Sequence, residues 1–455
     1  MSELALFGGK GVVAASEWVS WPIVSDDERK AVLEVLDRGI LSGLHAPTTR
    51  AFEAEFAAAV GAKHALLTHC GTSALQLAVA AENIGVGDEV IVPAYSFIAT
   101  AFAVLLQGGV PVFVDTDDRG LLDPALVEAA ISPRTRAIMP VHVHGCPADL
   151  DELGAIAKKH GLALLEDAAQ AHLATYRGKP VGALYRSGGF SLQSSKNLSA
   201  GEGGVFVTND DDLALWANRV RTFGQDVVPA DRDHYSLTRP LDGHRGMMSL
   251  RLGSMYRGNE MMAAFALAAL RKLPERTRAA QANAKRLFAR LAELPGLVPP
   301  PVTADRESVH HKVRIRFDPA AVVGDLPADA AARRTLTLAV RDTLMKALRA
   351  EGVEVVLWQD APMNEHPVFQ ERRAFGQGKP WTSFPEADQA RLQANYARGS
   401  YPRTQALLDS SFCLFSQTCP LIAQPASVVD HVADAVAKVW ERRGELGAAV
   451  AAATA

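Results

Sequence analysis

The chain has 455 residues, 48% hydrophobic and 22% charged, which is enough apolar material for two domains and an ordinary composition for a globular protein. A net charge of −4 offers no basic footprint, so nucleic acid is not an expected partner. No apolar run reaches the ~18 residues of a membrane span, and the opening MSELALFGGKGVVAASEW lacks the basic start and compact apolar block of a signal peptide.

Four scattered cysteines without a CxxC pair suit a reducing cytoplasm. His142, His144 and Cys146 supply too few ligands for a metal, and none is expected.

Taken in chain order, Ser25 with Glu28 three residues on is a capping box and announces a first helix. Residues 48–61 carry Phe52, Phe56 and Val60 at helical spacing and stop at Gly61. From there to about residue 210, short apolar runs alternate with helical patterns. Strands are predicted at 65–68, 87–97, 110–115, 136–142, 162–167, 188–193 and 203–208, and helices at 71–85, 98–109, 123–132 and 149–161. Such alternation predicts an α/β fold with a largely parallel sheet covered on both faces, whose ligands gather at the carboxyl ends of the strands.

Beyond residue 257 the character changes. Residues 259–294 predict long helical structure bridging to a second domain. Residues 306–360 mix strand HKVRIRF, helix RDTLMKALRAEG and strand VEVVLW, an α+β pattern. Residues 361–405, rich in Pro, Gly and Gln, read as loop over much of their length. Residues 426–443 predict a last helix, and the low-complexity tail is expected to be disordered. The division expected is 1–275 for a large domain, 276–445 for a small α+β domain and 446–455 for the tail.

Chemistry concentrates at the predicted strand ends. Asp167 closes a strand, and alone it reads as readily as a cap or turn residue. Gly71, Thr72 and Ser73 open a helix straight after a strand, where free N–H groups and the positive dipole end favour a phosphate, although a plain helix start has the same look. Phe97 is either core or a stacking surface. Lys196 lies in SLQSSKNLSAGEGG between two predicted strands, as a solvated charge or as the reactive amine. Together these residues call for a ligand with a phosphate, a flat ring, a basic ring nitrogen and an aldehyde. Pyridoxal phosphate has all four, and only a primary amine forms the reversible Schiff base that its aldehyde needs.

The motifs HCGTSAL (69–75), VIVPAYSFIAT (90–100), EDAAQAH (166–172) and FSLQSSKNLSAGEGG (190–204) resemble, in order, those of the DegT/DnrJ/EryC1/StrS aminotransferases. The resemblance runs from about residue 20 to 275 and more loosely to about 440. It implies the fold-type-I, aspartate aminotransferase-like architecture, pyridoxal 5′-phosphate as cofactor, and a homodimer with active sites at the interface. It also implies roles. Lys196 is the Schiff-base lysine and proton shuttle, and Asp167 the partner of the pyridine nitrogen. Gln170, one helical turn from Asp167, lies near the ring hydroxyl, and Phe97 stacks on the ring. Thr72 and Ser191 hold the phosphate with the amide of Gly71 or Thr72.

Where family members carry an asparagine reaching the partner's phosphate, this chain has Met255 in Gly253-Ser254-Met255-Tyr256-Arg257, and methionine cannot donate that bond. Arg257 is a candidate for the donor's carboxylate or a structural ion pair. Lysine at 196, rather than the histidine of dehydrating relatives, favours transamination. Gln193, where many nucleotide-sugar enzymes carry histidine, points to the branch acting on scyllo-inosose-like cyclitols and to aminohydroxybenzoate synthases. The expected partners are therefore glutamine or glutamate as amino donor and a keto-cyclitol or keto-sugar as acceptor, in antibiotic-type metabolism. The alternatives are a nucleotide-sugar aminotransferase, an aminohydroxybenzoate-type synthase, and a cofactor-binding regulatory protein without turnover.

Overall fold

The computed structural model describes residues 3–43, 46–225 and 248–454. The first helix, Asp26–Arg38, starts on the expected capping box: Ser25 Oγ accepts from Asp27 N (3.3 Å) and Glu28 Oε2 accepts from Ser25 N (2.8 Å). Helix Pro47–Val60 buries Phe52, Phe56 and Val60 and ends at Gly61, whose φ of 66° suits glycine.

The alternating region forms β1 (His64–Thr68), β2 (Glu89–Pro93), β3 (Val110–Val114), β4 (Thr135–Ile138), β5 (Ala163–Asp167), the short β6 (Thr175–Tyr176) and β7 (Lys179–Pro180), β8 (Ser187–Ser191) and β9 (Gly204–Thr208). Seven of them make one sheet in the order β1-β9-β8-β5-β4-β2-β3. Only β9 runs antiparallel to its neighbours, pairing with β1 and β8. Strands β2 and β3 are buried at every residue, which is why they read as continuous apolar runs rather than alternating ones.

Helix Gly71–Ala81 lies close against β8. A Cβ on Gly71 would come within 2.6 Å of Ser191 Cβ, so glycine is what lets the helix start meet that strand end.

Helix Glu260–Leu291 leaves this sheet and passes without a break through residue 275, where a domain boundary was expected. It leads to β10 (Leu297–Val298), β11 (Arg306–Glu307), β12 (Val313–Phe317), β13 (Val355–Val356) and β14 (Ser411–Leu414). Four of these form an antiparallel sheet in the order β10-β12-β14-β13, while β11 joins β6 and β7. One continuous hydrophobic cluster runs from Phe52 and Val90 through Leu270 to Ile315 and Val432.

One expectation needs correction and another needs detail. The tail is not a disordered end: Arg443–Thr454 is a helix that buries Leu446 and Val450, so its sparse apolar residues suffice to dock it. Residues 361–405 lie outside α-helix over much of their length, as expected, but not throughout. They contain helices Pro367–Gln370 and Glu386–Tyr396, and helix Pro402–Asp409 begins within them. Their few buried apolar residues (Phe369, Leu392, Leu407 and Leu408) are too sparse to mark helices, and part of the docking is polar, through Asn395 and Tyr396 on Phe113 and Pro111.

Candidate active site

The carboxyl ends of β1, β2, β5 and β8 open on one cavity of about 340 Å³, lined by Gly71, Thr72, Phe97, Asp167, Gln170, Ser191, Gln193 and Lys196 among others. Eight of the nine residues given cofactor, catalytic or substrate roles from the sequence thus converge. Arg257 is not part of this lining; its backbone bridges to Thr68, and its Nε lies 3.1 Å from Met255 Sδ. Met255 itself is 44% exposed on the surface.

Asp167 is 3% exposed. Its Oδ2 accepts from Thr100 Oγ1 (2.6 Å) and its Oδ1 from Ala169 N (3.1 Å). Burial pushes its carboxyl above the usual range, against those two bonds and the charge of Lys196. A cationic N–H opposite it would favour the carboxylate.

Lys196 follows β8 in a turn. Its carbonyl accepts from Trp21 Nε1 (3.1 Å), so the N-terminal segment holds the lysine's backbone. The neighbouring Asn197 ties the same loop to Val309 through its amide (2.9 Å). Burial lowers the Lys196 ammonium to about 8, with Asp167 opposing and Lys312 assisting.

Gln170 sits in a turn after β5 rather than on a helix. Its Oε1 accepts from His144 N (2.8 Å), which leaves the amide NH₂ as the end free to donate into the cavity. His144 is fixed in turn, its Nε2 meeting Tyr95 Oη (2.7 Å) and Arg314 Nη2 (2.5 Å). The Gln193 amide is turned into its own loop: Nε2 donates to Ser194 Oγ (2.8 Å) and Oε1 accepts from Ser195 N (2.9 Å). Phe97 is 53% exposed, so no group among the described residues covers it fully.

A buried acid, a lysine amine of lowered affinity for protons, hydroxyls beside a helix start and an open aromatic face form the donor set that pyridoxal phosphate requires. The fit rests on features of this chain: the acid has burial but no buried cation hydrogen-bonded to it, and the Gln170 donor has a free end.

Sequence reasoning missed Thr100, His311, Lys312 and Gln417, which also line the cavity; Trp358, another lining residue, opens the segment 358–385 whose unusual composition marks it as a candidate wall of the substrate pocket. Of those missed, only Lys312 left a signal, as a cation within a predicted strand. The others look like ordinary core or loop residues until distant segments meet.

Residues 22–392 match the model of the DegT/DnrJ/EryC1/StrS aminotransferase family. The chain is 33% identical over 451 residues to a putative L-glutamine:3-amino-2,3-dideoxy-scyllo-inosose aminotransferase of Streptoalloteichus tenebrarius, covering 96% of this chain and 98% of that protein. It is 34% identical over 450 residues to the L-glutamine:2-deoxy-scyllo-inosose aminotransferase of the same organism, covering 96% and 97%. Among solved structures it resembles S. venezuelae DesV in complex with a ketimine intermediate, with a TM-score of 0.74 at 31% identity over 93% of this chain and 99% of that one.

Proposed function

The chain belongs to the DegT/DnrJ/EryC1/StrS aminotransferase family and is a fold-type-I, pyridoxal-phosphate-dependent aminotransferase, and from that premise we propose that it moves the amino group of L-glutamine or L-glutamate to the ketone of a keto-cyclitol or related keto-sugar in aminoglycoside-type secondary metabolism. One observation carries the choice of acceptor: likeness to the two glutamine-dependent cyclitol enzymes extends over almost the whole of both partners, the C-terminal third included.

Bound pyridoxal phosphate supplies an aldehyde for the lysine amine and a protonated ring that takes up the electron pair left when a carbon loses its proton. The chain's residues do the rest. Asp167 would be kept ionised by a cationic ring nitrogen opposite it and would hold the proton there. Thr72, Ser191 and the amides at the start of helix Gly71–Ala81 would hold the phosphate. Phe97 would stack on the ring, and Gln170 would donate its free amide end to it.

Lys196 Nζ, as the free amine, takes a proton from the donor's α-carbon and returns it on the adjacent side, then does the reverse for the acceptor. Gln193 braces the loop that carries Lys196. The two substrates therefore use one site in turn, which gives ping-pong kinetics.

A homodimer is part of this reading. Met248, Leu250, Leu252 and Met255 expose 77%, 54%, 94% and 44% of their surface, a run that a second copy would cover. Arg257, outside its own chain's cavity, then stands where it could serve the partner's. Four free thiols support the cytoplasmic setting. No helix among the described residues is long and apolar enough to cross a membrane.

The test is an absorbance spectrum of the purified holoenzyme. We expect a visible band that L-glutamine or L-glutamate bleaches, that scyllo-inosose-type ketones restore, and that Lys196→Ala lacks. Restoration by a nucleotide-linked keto-sugar alone would move the acceptor to that class. A band that no amino acid bleaches would remove the transaminase reading.

A further inference from the structure

Strand β12 and the residue before it read Lys312-Val313-Arg314-Ile315-Arg316-Phe317, cations alternating with apolar side chains. A strand so patterned is expected to bury its apolar face and turn its cations to water. Here Lys312 is 4% exposed and Arg314 7%, so most of the cationic face is buried as well. Arg314 has company: beside its bond to His144, its guanidinium lies 4.2 Å over the Tyr95 ring.

Lys312 has none. Among the described residues its buried Nζ has no hydrogen-bond partner, although the side chain lines the cavity that also holds Lys196 and Asp167. A buried ammonium without a counter-charge is costly, and folds keep one where something supplies the missing anion.

The other charged groups lining that cavity do not supply it. Asp167 is engaged by Thr100 and Ala169, and Glu202 is an exposed residue. Lys312 also lines a second cavity of about 240 Å³, whose one carboxylate, Asp118, is paired with Arg316 (3.7 Å) and outnumbered by Arg119, Arg314 and Arg316, so that wall is net positive.

We propose that Lys312 is the binding residue for a carboxylate of the amino donor. The inference rests on the reading of this cavity as the amination site and adds how the two substrates are told apart. A donor amino acid must bring its α-carbon to Lys196 Nζ, and its α-carboxylate is then one bond away, inside the same walls. Those walls offer two ammonium groups, Lys196 and Lys312, and Lys196 is committed to the chemistry. A cyclitol or sugar ketone carries no such charge, so the contact with Lys312 serves the amino-acid half of the cycle, while the influence of Lys312 on the charge of Lys196 falls on both halves alike.

The test compares wild type, Lys312→Met and Lys312→Arg as cofactor-loaded full-length proteins. Glutarate, a dicarboxylate with no amine to transfer, is titrated by calorimetry, and bleaching is measured with L-glutamine and with an aminocyclitol lacking a carboxylate. Lys312→Met is expected to weaken glutarate by about tenfold or more and to raise the half-saturating L-glutamine concentration by a similar factor, the loss of one charge-assisted bond. Bleaching by the aminocyclitol should stay within about threefold of wild type, and Lys312→Arg should recover most of the glutarate affinity.

Equal glutarate binding by wild type and Lys312→Met overturns the proposal, as does equal loss for aminocyclitol and glutamine in a variant with unchanged melting. Glutarate held through Lys312 in a protein that no amino acid bleaches keeps the carboxylate site and removes the amination reading instead.

Discussion

Lys196 is pulled in two directions by its surroundings. Burial and the neighbouring Lys312 favour the neutral amine, Asp167 favours the ammonium, and the balance leaves the group titrating at about 8. An ordinary lysine titrates near ~10.4, so at neutral pH this one presents roughly a tenth of its molecules as free amine rather than a small fraction of one per cent. The free amine is the form that reacts with an aldehyde. Uptake of pyridoxal phosphate by the cofactor-free protein should therefore quicken about tenfold per pH unit below 8 and level off above it. Replacing Lys312 by Met removes a cation that favours the neutral form, so the midpoint should move up. Replacing Asp167 by Asn removes the opposing anion, so it should move down. Stopped-flow uptake across pH reads both, and a midpoint indifferent to both substitutions would mean that solvent screens Lys196 from them.

At the scale of elements, the unexpected piece is the polar segment that covers the edge of the central sheet. Strand β3 is the last in its sheet, and an uncovered edge invites pairing with another chain. Helix Glu386–Tyr396 blocks it with one side chain that acts as a strand would. Asn395 Oδ1 accepts from Phe113 N (3.0 Å) and Asn395 Nδ2 donates to Phe113 O (2.9 Å). Tyr396 Oη donates to Pro111 O (2.7 Å) beside it. Asn395→Ala leaves both Phe113 groups without that partner and should destabilise the protein by about 1–3 kcal/mol, read by denaturant unfolding, with a greater tendency to aggregate. The sequence made the interior of the sheet legible and hid this cover, for the same physical reason. Strands such as EVIVP and VPVFV are marked by continuous burial, whereas a segment docked through amides and hydroxyls keeps the composition of a loop. The site divides likewise. Asp167, Lys196, Gly71 and Phe97 stand at strand ends and could be placed from local pattern. Lys312 and Gln417 reach the cavity only because β12 and the turn after β14 fold back over it, and no local pattern records that.

Across the whole molecule, burial decides how the fold meets acid. His172 is packed against Phe56 and Phe190 behind the sheet, with ring centroids at 6.5 and 5.3 Å. His144, His310 and His311 lie where the segment leading into β12 meets the large sheet. Desolvation lowers all four, His172 to about 3 and His310 to about 4, while His144 and His311 go well below the usual value with the charges of Lys196 and Lys312 adding to the effect. Each group has a folded pKa below its unfolded one, so below about 6.5 the unfolded chain takes up protons that the folded one refuses. Stability is then complete above that pH and falls as pH drops, by about 1.4 kcal/mol per pH unit for each such histidine until its folded pKa is reached. Carboxylates in ion pairs add a loss of the same sign, but only from their own unfolded range near ~4.3 downward. The two can be separated by where the fall begins. Denaturant unfolding of the holoenzyme at closely spaced pH should show stability dropping already between about 6.5 and 5, before the carboxylates contribute. In His172→Leu that early slope should be shallower by one histidine's share. A curve flat down to about pH 5 would require these imidazoles to take up protons in the folded state, which the packing around His172 does not allow.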